Sequence, residues 1–389
     1  MSVNNMAIED TYLFLKLVSD QVTGQSALAP TDESSFISLA NTTLACGTEP
    51  TLNAISQVVG RTVYAVRSHN AKFKGIELTP MQFGGILRKI SYADTDPVRD
   101  GAFHNLNDGT SVDPWIIKKP VVLETRYYGE NSLTDVFTVF RDQLFQAFRS
   151  TADLSDFVSK LVEHYNNKFE QWRETMARQV LVGAIAAKNE ADPTNVIHLI
   201  TEYNTETNQG TPLTYADIVA DKTFWRWVRA KVNTIGRRMT ARSNLYQMQI
   251  SGYAINRHTP VQDQKIYMLA DYLDKVNTIV NADTYHDEPL KYADVEGVDF
   301  WQSILSPDEI SATAAYIDST GAVVQGTPQT MSKVFGIMFD RDALGYSVEK
   351  WDLIPSPLNP GSLSYDMWFH ALMKLYLDLT EKIVVLCLD

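Results

Sequence analysis

The stretch Asp153–Lys188, DLSDFVSKLVEHYNNKFEQWRETMARQVLVGAIAAK, holds the longest unbroken pattern in this 389-residue chain and decides how the rest is read. Apolar residues recur at Leu154, Phe157, Val158, Leu161, Val162, Tyr165, Phe169, Trp172, Met176, Val180 and Leu181, with no Gly or Pro before Gly183. Spacings of three and four place them on one face of a helix. At ~1.5 Å per residue the helix would run on the order of 50 Å, far beyond the mean helix of about 11–12 residues. The apolar set is broader than a coiled-coil seam and lacks clean flanking charges. It reads as a spine across which other elements pack.

Upstream of the spine the period changes. Arg61–Val66 and Lys72–Leu78 read as strands, and Ile86–Ser91 alternates apolar with basic residues. Asp94–Pro114 is rich in turn pairs, and Trp115–Tyr128 is a second β-branched, aromatic run. Together these make a long β-hairpin with a polar tip. A two-stranded hairpin is marginal alone in water, so it needs a surface, either a neighbouring copy or its own domain; the sequence leaves both open. Nearer the start, Ala7–Val22 reads as a short amphipathic helix and Gly24–Ser35 as a linker. Another helix starts at Thr48-Glu-Pro50, with Gly60 as its stop.

Downstream, Asp192-Pro193 and Asn204–Pro212 break the pattern. Phe224–Arg242 reads as a helix carrying Arg226, Arg229, Lys231, Arg237, Arg238 and Arg242, and Gln264–Ile279 as another. Val334–Phe339 has the look of a buried strand, and Pro355–Gly361 of a rigid loop. The chain closes with a helix at Tyr365–Tyr376 and a strand at Lys382–Leu388. No internal repeat is visible.

Composition narrows the class. Hydrophobic residues make up 44% and charged residues 21%, ordinary for a globular protein with a real core. A net charge of −13 disfavours a protein whose task is gripping phosphate backbone, yet suits a container with weak affinity for what it holds. Cys46 and Cys387 exclude a disulfide framework and read as small buried apolar residues, as in a reducing cytoplasm. Nothing resembles a signal peptide or the ~20 apolar residues of a membrane span.

No phosphate loop, dinucleotide fingerprint, zinc-protease helix or nucleophile elbow is present. His286-Asp287-Glu288 offers metal-type side chains, but consecutive residues rarely converge on one ion, so a solvated loop is the reading. Asp340 and Asp342 flank Arg341 and read as a strand-end turn with a local ion pair. Asp94, Asp96 and Asp100 lack the Gly and Glu of a calcium loop. The basic helix could meet DNA phosphates, although a charged face answering acidic neighbours is the favoured reading; Phe224-Trp225-Arg226-Trp227 within it reads as core or a subunit seam. No catalytic, cofactor-binding or metal residue is expected.

Four stretches carry a resemblance: Pro50–Arg67 (PTLNAISQVVGRTVYAVR), Val136–Phe148 (VFTVFRDQLFQAF), Leu269–Trp301 (opening LADYLDKVNTIVNADTYHDEP, ending VDFW) and Val334–Gly345 (VFGIMFDRDALG). In this order, along nearly the whole chain, they resemble major capsid proteins of small tailed, podovirus-like bacteriophages with the Hong Kong 97 type capsid fold. The resemblance implies an α+β fold with residues 1–48 as an N-terminal arm reaching between neighbours and 49–67 as the start of a peripheral domain. Residues 68–128 would be an extended hairpin loop over an adjacent subunit, and 129–200 the peripheral domain with spine 153–188. Residues 201–343 would be an axial domain meeting its copies at five- and six-fold centres, and 344–389 would return to the peripheral domain. The implied function is self-assembly as pentamers and hexamers into an icosahedral shell around double-stranded DNA, without catalysis or cofactor. The partners implied are a separate scaffolding protein and a portal, in the host cytoplasm, with no membrane. Lys72 and Lys74 lie where cross-linking relatives use a lysine, but no matched acid–Asn pairing accompanies them, so closure is expected to be non-covalent. A portal or minor head protein, an enzyme without a recognisable motif and a receptor-binding module are the alternatives. The hairpin reading predicts a protease-sensitive segment between Asp94 and Pro114 in isolated subunits that becomes protected in shells. Limited proteolysis checks it; equal cleavage rates in both states would contradict the arm.

Overall fold

A computed structural model of the chain describes residues 8–65, 73–78, 87–93, 122–127, 131–208, 210–219, 221–251, 255–281 and 294–389. Its centre is the spine, helix α5 (Thr151–Ala191), longer at both ends than the apolar pattern implied. The Ser150 hydroxyl accepts from the Asp153 amide at 3.1 Å, and the Asp153 carboxylate sits favourably at the positive end of the helix. Asp192-Pro193 stops it. Among the described residues, α1 (Ile8–Thr23), α2 (Glu33–Ala45) and α3 (Thr48–Ala65) precede it, and a short α4 (Arg141–Ala147) leads into it.

The strands form two principal sheets. The first joins β3 (Asn131–Phe140), β12 (Leu344–Pro355) and β13 (Ser364–Leu377) in the antiparallel order β12-β13-β3. One face, with Phe137, Tyr365, Phe369, Ala371 and Met373, packs on the spine and the N-terminal helices. Phe14, Leu15 and Val18 of α1, Phe36 of α2 and Leu52, Ile55 and Val58 of α3 close this core. Residues 8–45, expected as an arm between neighbours, are thus largely two helices packed on their own chain.

The second sheet contains β4 (Val196–His198), β5 (Gln264–Leu269), β6 (Asp294–Val298), β11 (Val334–Asp340) and β14 (Ile383–Cys387), in the order β4-β14-β11-β5-β6. β11 and β14 are buried on both sides, which explains their continuous apolar runs. Tyr267, Ile337, Phe339, Ile383 and Val385 face the C-terminal half of the spine, where Ala177, Ala184 and Ala187 allow close approach. Alternate residues, Ile266, Met268, Met338, Val384 and Leu386, face α6 (Leu199–Thr207), α7 (Lys222–Thr240) and α8 (Ala270–Asn281). The sheet is therefore the middle of three layers. β14 comes from the segment 344–389, which the resemblance assigns to the peripheral domain.

Two short ladders complete the described strands, β7 (Ile310–Ala312) with β10 (Gln329–Met331) and β8 (Ala315–Ile317) with β9 (Val323–Gln325). The hairpin pairs β1 (Leu87–Tyr92) with β2 (Val122–Tyr127) in antiparallel register, from Leu87 opposite Tyr127 to Tyr92 opposite Val122. Its expected tip, and the Trp115–Pro120 start of its second run, lie outside the described residues.

Several local expectations are corrected. Tyr365–Tyr376 is strand, not helix: helix-forming Ala, Leu, Met and Lys are overridden by pairing on both sides, and the buried residues follow period two. Gln264–Ile279 begins as strand and turns helical only at Ala270. Helix α3 passes through Gly60 to Ala65, because the packed apolar stripe outweighs the ~1 kcal/mol cost of a helical glycine. Residues 61–65 are therefore helix. Within Lys72–Leu78, the described residues form a 3-10 turn at Lys74–Ile76 and an isolated bridge from Glu77 to Tyr346. Cys46 is exposed rather than buried; Cys387 is buried in β14, where desolvation pushes its thiol up to about 12.

Candidate assembly surface

The inner face of the hairpin is tied to its own chain through a buried ionic cluster. Lys89 Nζ lies 2.7 Å from Asp378 and 2.5 Å from Glu381, whose side chains are 3% and 8% exposed. Arg257 reaches Glu381 at 2.9 Å and donates to Ser91 Oγ at 2.8 Å, so both Lys89 and Ser91 of β1 are held. Tyr127 of β2 packs edge-on against Tyr376 at 5.9 Å between ring centroids. Desolvation opposes charge on both carboxylates. Lys89 and the hydroxyl and amide of Thr380 nevertheless hold Asp378 below the usual carboxylate range, whereas Glu381 is pushed above it, desolvation outweighing Lys89 and Arg257.

The outer face of the same hairpin points the other way. Tyr92 is 65% exposed, and Ile90 and Val122 are each 47% exposed, forming an apolar cluster with Tyr92 directly opposite Val122. Nearer the base this face turns polar, with Glu124 and Arg126 bonded to each other. A second exposed apolar row crosses the three-stranded sheet, where Val136, Trp368 and Ile354 are aligned neighbours on β3, β13 and β12. Trp368 stacks on His370 at 6.5 Å. Two apolar clusters of three residues each are thus exposed, one on the hairpin and one on the three-stranded sheet.

The residues weighed for chemistry do not converge. Asp340 is buried and accepts from the Thr259 hydroxyl at 2.6 Å, whereas Asp342 and Arg341 are exposed on the following turn. His286, Asp287, Glu288, Asp94, Asp96, Asp100 and Lys72 lie outside the described residues. Among the described residues no three His, Cys, Asp or Glu side chains group as metal ligands. A cleft of about 220 Å³ between α7, α8 and the loop at Pro307 is lined by Tyr215, Trp225, Asp271, Tyr272, Lys275 and Asp308, among others. Its two phenols bond each other at 2.6 Å, and desolvation raises the Tyr272 pKa. Phe224 and Trp225 are fully buried, as core, and Lys231 answers Glu202 and Glu206 at 2.5 and 2.7 Å.

The chain matches the family described as Phi29-like phage major capsid protein over residues 18–387. It belongs to that family. The capsid protein's fold is also similar to a chain in the capsid structure of Staphylococcus phage Andhra, at 11% identity and a TM-score of 0.51, covering 82% of this chain and 84% of that one. A chain in the structure of the head fiber and inner core protein of bacteriophage P68 matches at 12% identity and a TM-score of 0.55, covering 80% and 83%. At such identities the likeness establishes the shared fold, that of Hong Kong 97 type phage capsids. No curated protein sequence matches. The expected fold class and the structural capsid role are thereby established.

The ionic cluster in this capsid protein was missed in the sequence, since Lys89 is separated from Asp378 and Glu381 by 289 and 292 residues. The only local signal was a short segment holding Asp378, Thr380, Glu381 and Lys382, set between two apolar strands. Removing one partner of a buried pair costs about 3–5 kcal/mol, because the other charge is left unpaired. Lys89→Met should therefore destabilise the subunit by about that amount near neutral pH. Glu381 already has a raised folded pKa, and losing Lys89 raises it further, so the folded state takes up a proton as pH falls and the deficit shrinks. Denaturant unfolding of wild type and variant at about pH 7.5 and about pH 5 checks the sign; a deficit that grows on acidification would contradict it.

Proposed function

We propose that this protein is a non-catalytic shell subunit that closes as pentamers and hexamers into an icosahedral container for double-stranded DNA. Its membership of the phage major capsid family carries the reading, and the outward apolar face of the hairpin supports it as a place for neighbours to engage. The hairpin segment 68–128 lies over an adjacent subunit, with Ile90, Tyr92 and Val122 covered by that copy; the Val136–Trp368–Ile354 row is the surface we assign to receive it. Residues 201–343 form the part that meets other copies at the five- and six-fold centres. The N-terminal segment 1–48 meets a neighbour through the exposed Leu13, Leu17 and Ile37 on the outer sides of α1 and α2.

Closed symmetry lets each contact be weak, since every subunit binds several neighbours at once. Weak contacts also allow misplaced subunits to leave before closure. A separate scaffolding protein and a portal would direct size and polarity in the host cytoplasm. Closure would be non-covalent, since no matched acid–Asn pairing accompanies Lys72 and Lys74 in the sequence.

Tyr92→Asp and Trp368→Asp place a charge in these patches without touching the core. Each variant should remain a folded subunit with near wild-type melting, yet form at least tenfold fewer shells, tubes or hexamers by negative-stain microscopy and sedimentation. Undiminished assembly by both variants would refute the assigned contact.

A further inference from the structure

Helix α7 contradicts the charge of the protein around it. The chain carries −13 overall, yet this 19-residue helix holds Lys222, Arg226, Arg229, Lys231, Arg237 and Arg238 and no acidic residue. The apolar side, Phe224, Trp225, Val228, Val232, Ile235 and Met239, is buried against the five-stranded sheet. The basic residues are therefore driven to the opposite side, and Lys222, Arg226, Arg237 and Arg238 are exposed there. Lys231 pairs with Glu202 and Glu206 at the edge of this strip. The strip from Lys222 to Arg238 spans about 24 Å at ~1.5 Å per residue.

We infer that this strip is where the shell wall touches the phosphate backbone of enclosed double-stranded DNA, an inference that rests on the capsid reading. Two features favour a polyanion over a second copy of the chain. The fully exposed residues interleaved with the charges are Thr223, Ala230, Thr234 and Thr240, small side chains, and the half-buried Trp227 beside them is already engaged by Tyr203, Phe224, Glu206 and Lys231, so the aromatic and aliphatic anchors that protein interfaces use are not on offer. The charges are also Arg-rich and repeat along a rigid rod, whereas duplex DNA presents one phosphate per about 1.7 Å of axis, so register is unimportant and several contacts form in any position. Such contact is sequence-independent and salt-sensitive. Set against an acidic wall, it holds DNA weakly enough for release.

The test uses the full chain and a fluorescein-labelled duplex of about 20 base pairs, with anisotropy read between about 50 and 200 mM salt. The Lys222→Gln/Arg237→Gln/Arg238→Gln variant is compared with Arg149→Gln/Lys160→Gln/Arg341→Gln, which removes the same charge from exposed positions elsewhere. We expect the strip variant to bind at least tenfold more weakly at low salt, with a log–log salt slope shallower by about 0.9 for each lost contact. The control should stay within about twofold of wild type, and both variants should still assemble. Equal loss in both variants, or no duplex binding by wild type at low salt, would overturn the inference. Failed assembly by the strip variant with unchanged duplex binding would also overturn it, and make the strip a subunit seam. Assembly of wild-type protein is scored separately, so failure of the capsid reading is seen independently of DNA binding.

Discussion

The turn Asp378–Lys382 is the constraint on which the rest of the subunit depends. It joins β13, in the three-stranded sheet, to β14, in the five-stranded sheet, and Asp378, Thr380, Glu381 and Lys382 are all buried. Their polar groups are satisfied from every direction. The Asp378 amide donates to the Ala343 carbonyl at 2.7 Å, and the Met248 amide donates to the Leu379 carbonyl at 2.8 Å. Lys382 Nζ donates to the Met239 and Ala241 carbonyls at 3.1 and 2.7 Å, which also satisfies the C-terminal end of α7. Lys89 and Arg257 supply the countercharge. One short peptide thus fixes the relative placement of both sheets, the basic helix and the hairpin.

A buried charge network of this kind is weak as a source of net stability but strong as a specifier of geometry, because any other arrangement strands a desolvated charge. That matters for a shell subunit. Lys89 and Ser91 tie the paired strands of the hairpin to the body, so the exposed Tyr92–Val122 face is held in a fixed relation to it. The spine performs the same service on a larger scale, its N-terminal half under the helical core and the three-stranded sheet and its C-terminal half under the five-stranded sheet. Arg173 pairs with Glu77 and the Arg178 guanidinium lies over the Phe300 ring at 3.9 Å, so the segment before the hairpin and the loop after β6 are both fastened to it. Weak contacts between copies can build an accurate container only if each subunit presents them in a fixed relation.

Much of this was legible in the sequence where local and tertiary preferences agree. The spine, β11 and β14 were visible because one uninterrupted period governs each, and the hairpin because turn residues separate two β-rich runs. The C-terminal strand β13 was not, since Ala371-Leu-Met-Lys-Leu375 favours a helix and only sheet pairing on both sides decides otherwise. Gly60 misled for the same reason, a local stop signal overridden by buried Leu52, Ile55 and Val58. Helix α2 was concealed by its Ser- and Thr-rich composition, although Asp32 and Ser35 form a capping box that marks its start. The pairing in the ionic cluster was hidden because only the tertiary fold brings Lys89 to Asp378 and Glu381.

The central claim is that this subunit holds its hairpin at the base and leaves the outer face to be completed by another copy. A cryo-electron microscopy reconstruction of shells assembled from the full chain tests it most directly. The account predicts that Lys89 remains paired with Asp378 and Glu381 of its own chain while Ile90, Tyr92 and Val122 lose their solvent exposure to a neighbouring subunit. Shells in which those three side chains stay open to solvent, or in which Lys89 has left its carboxylates, would contradict it.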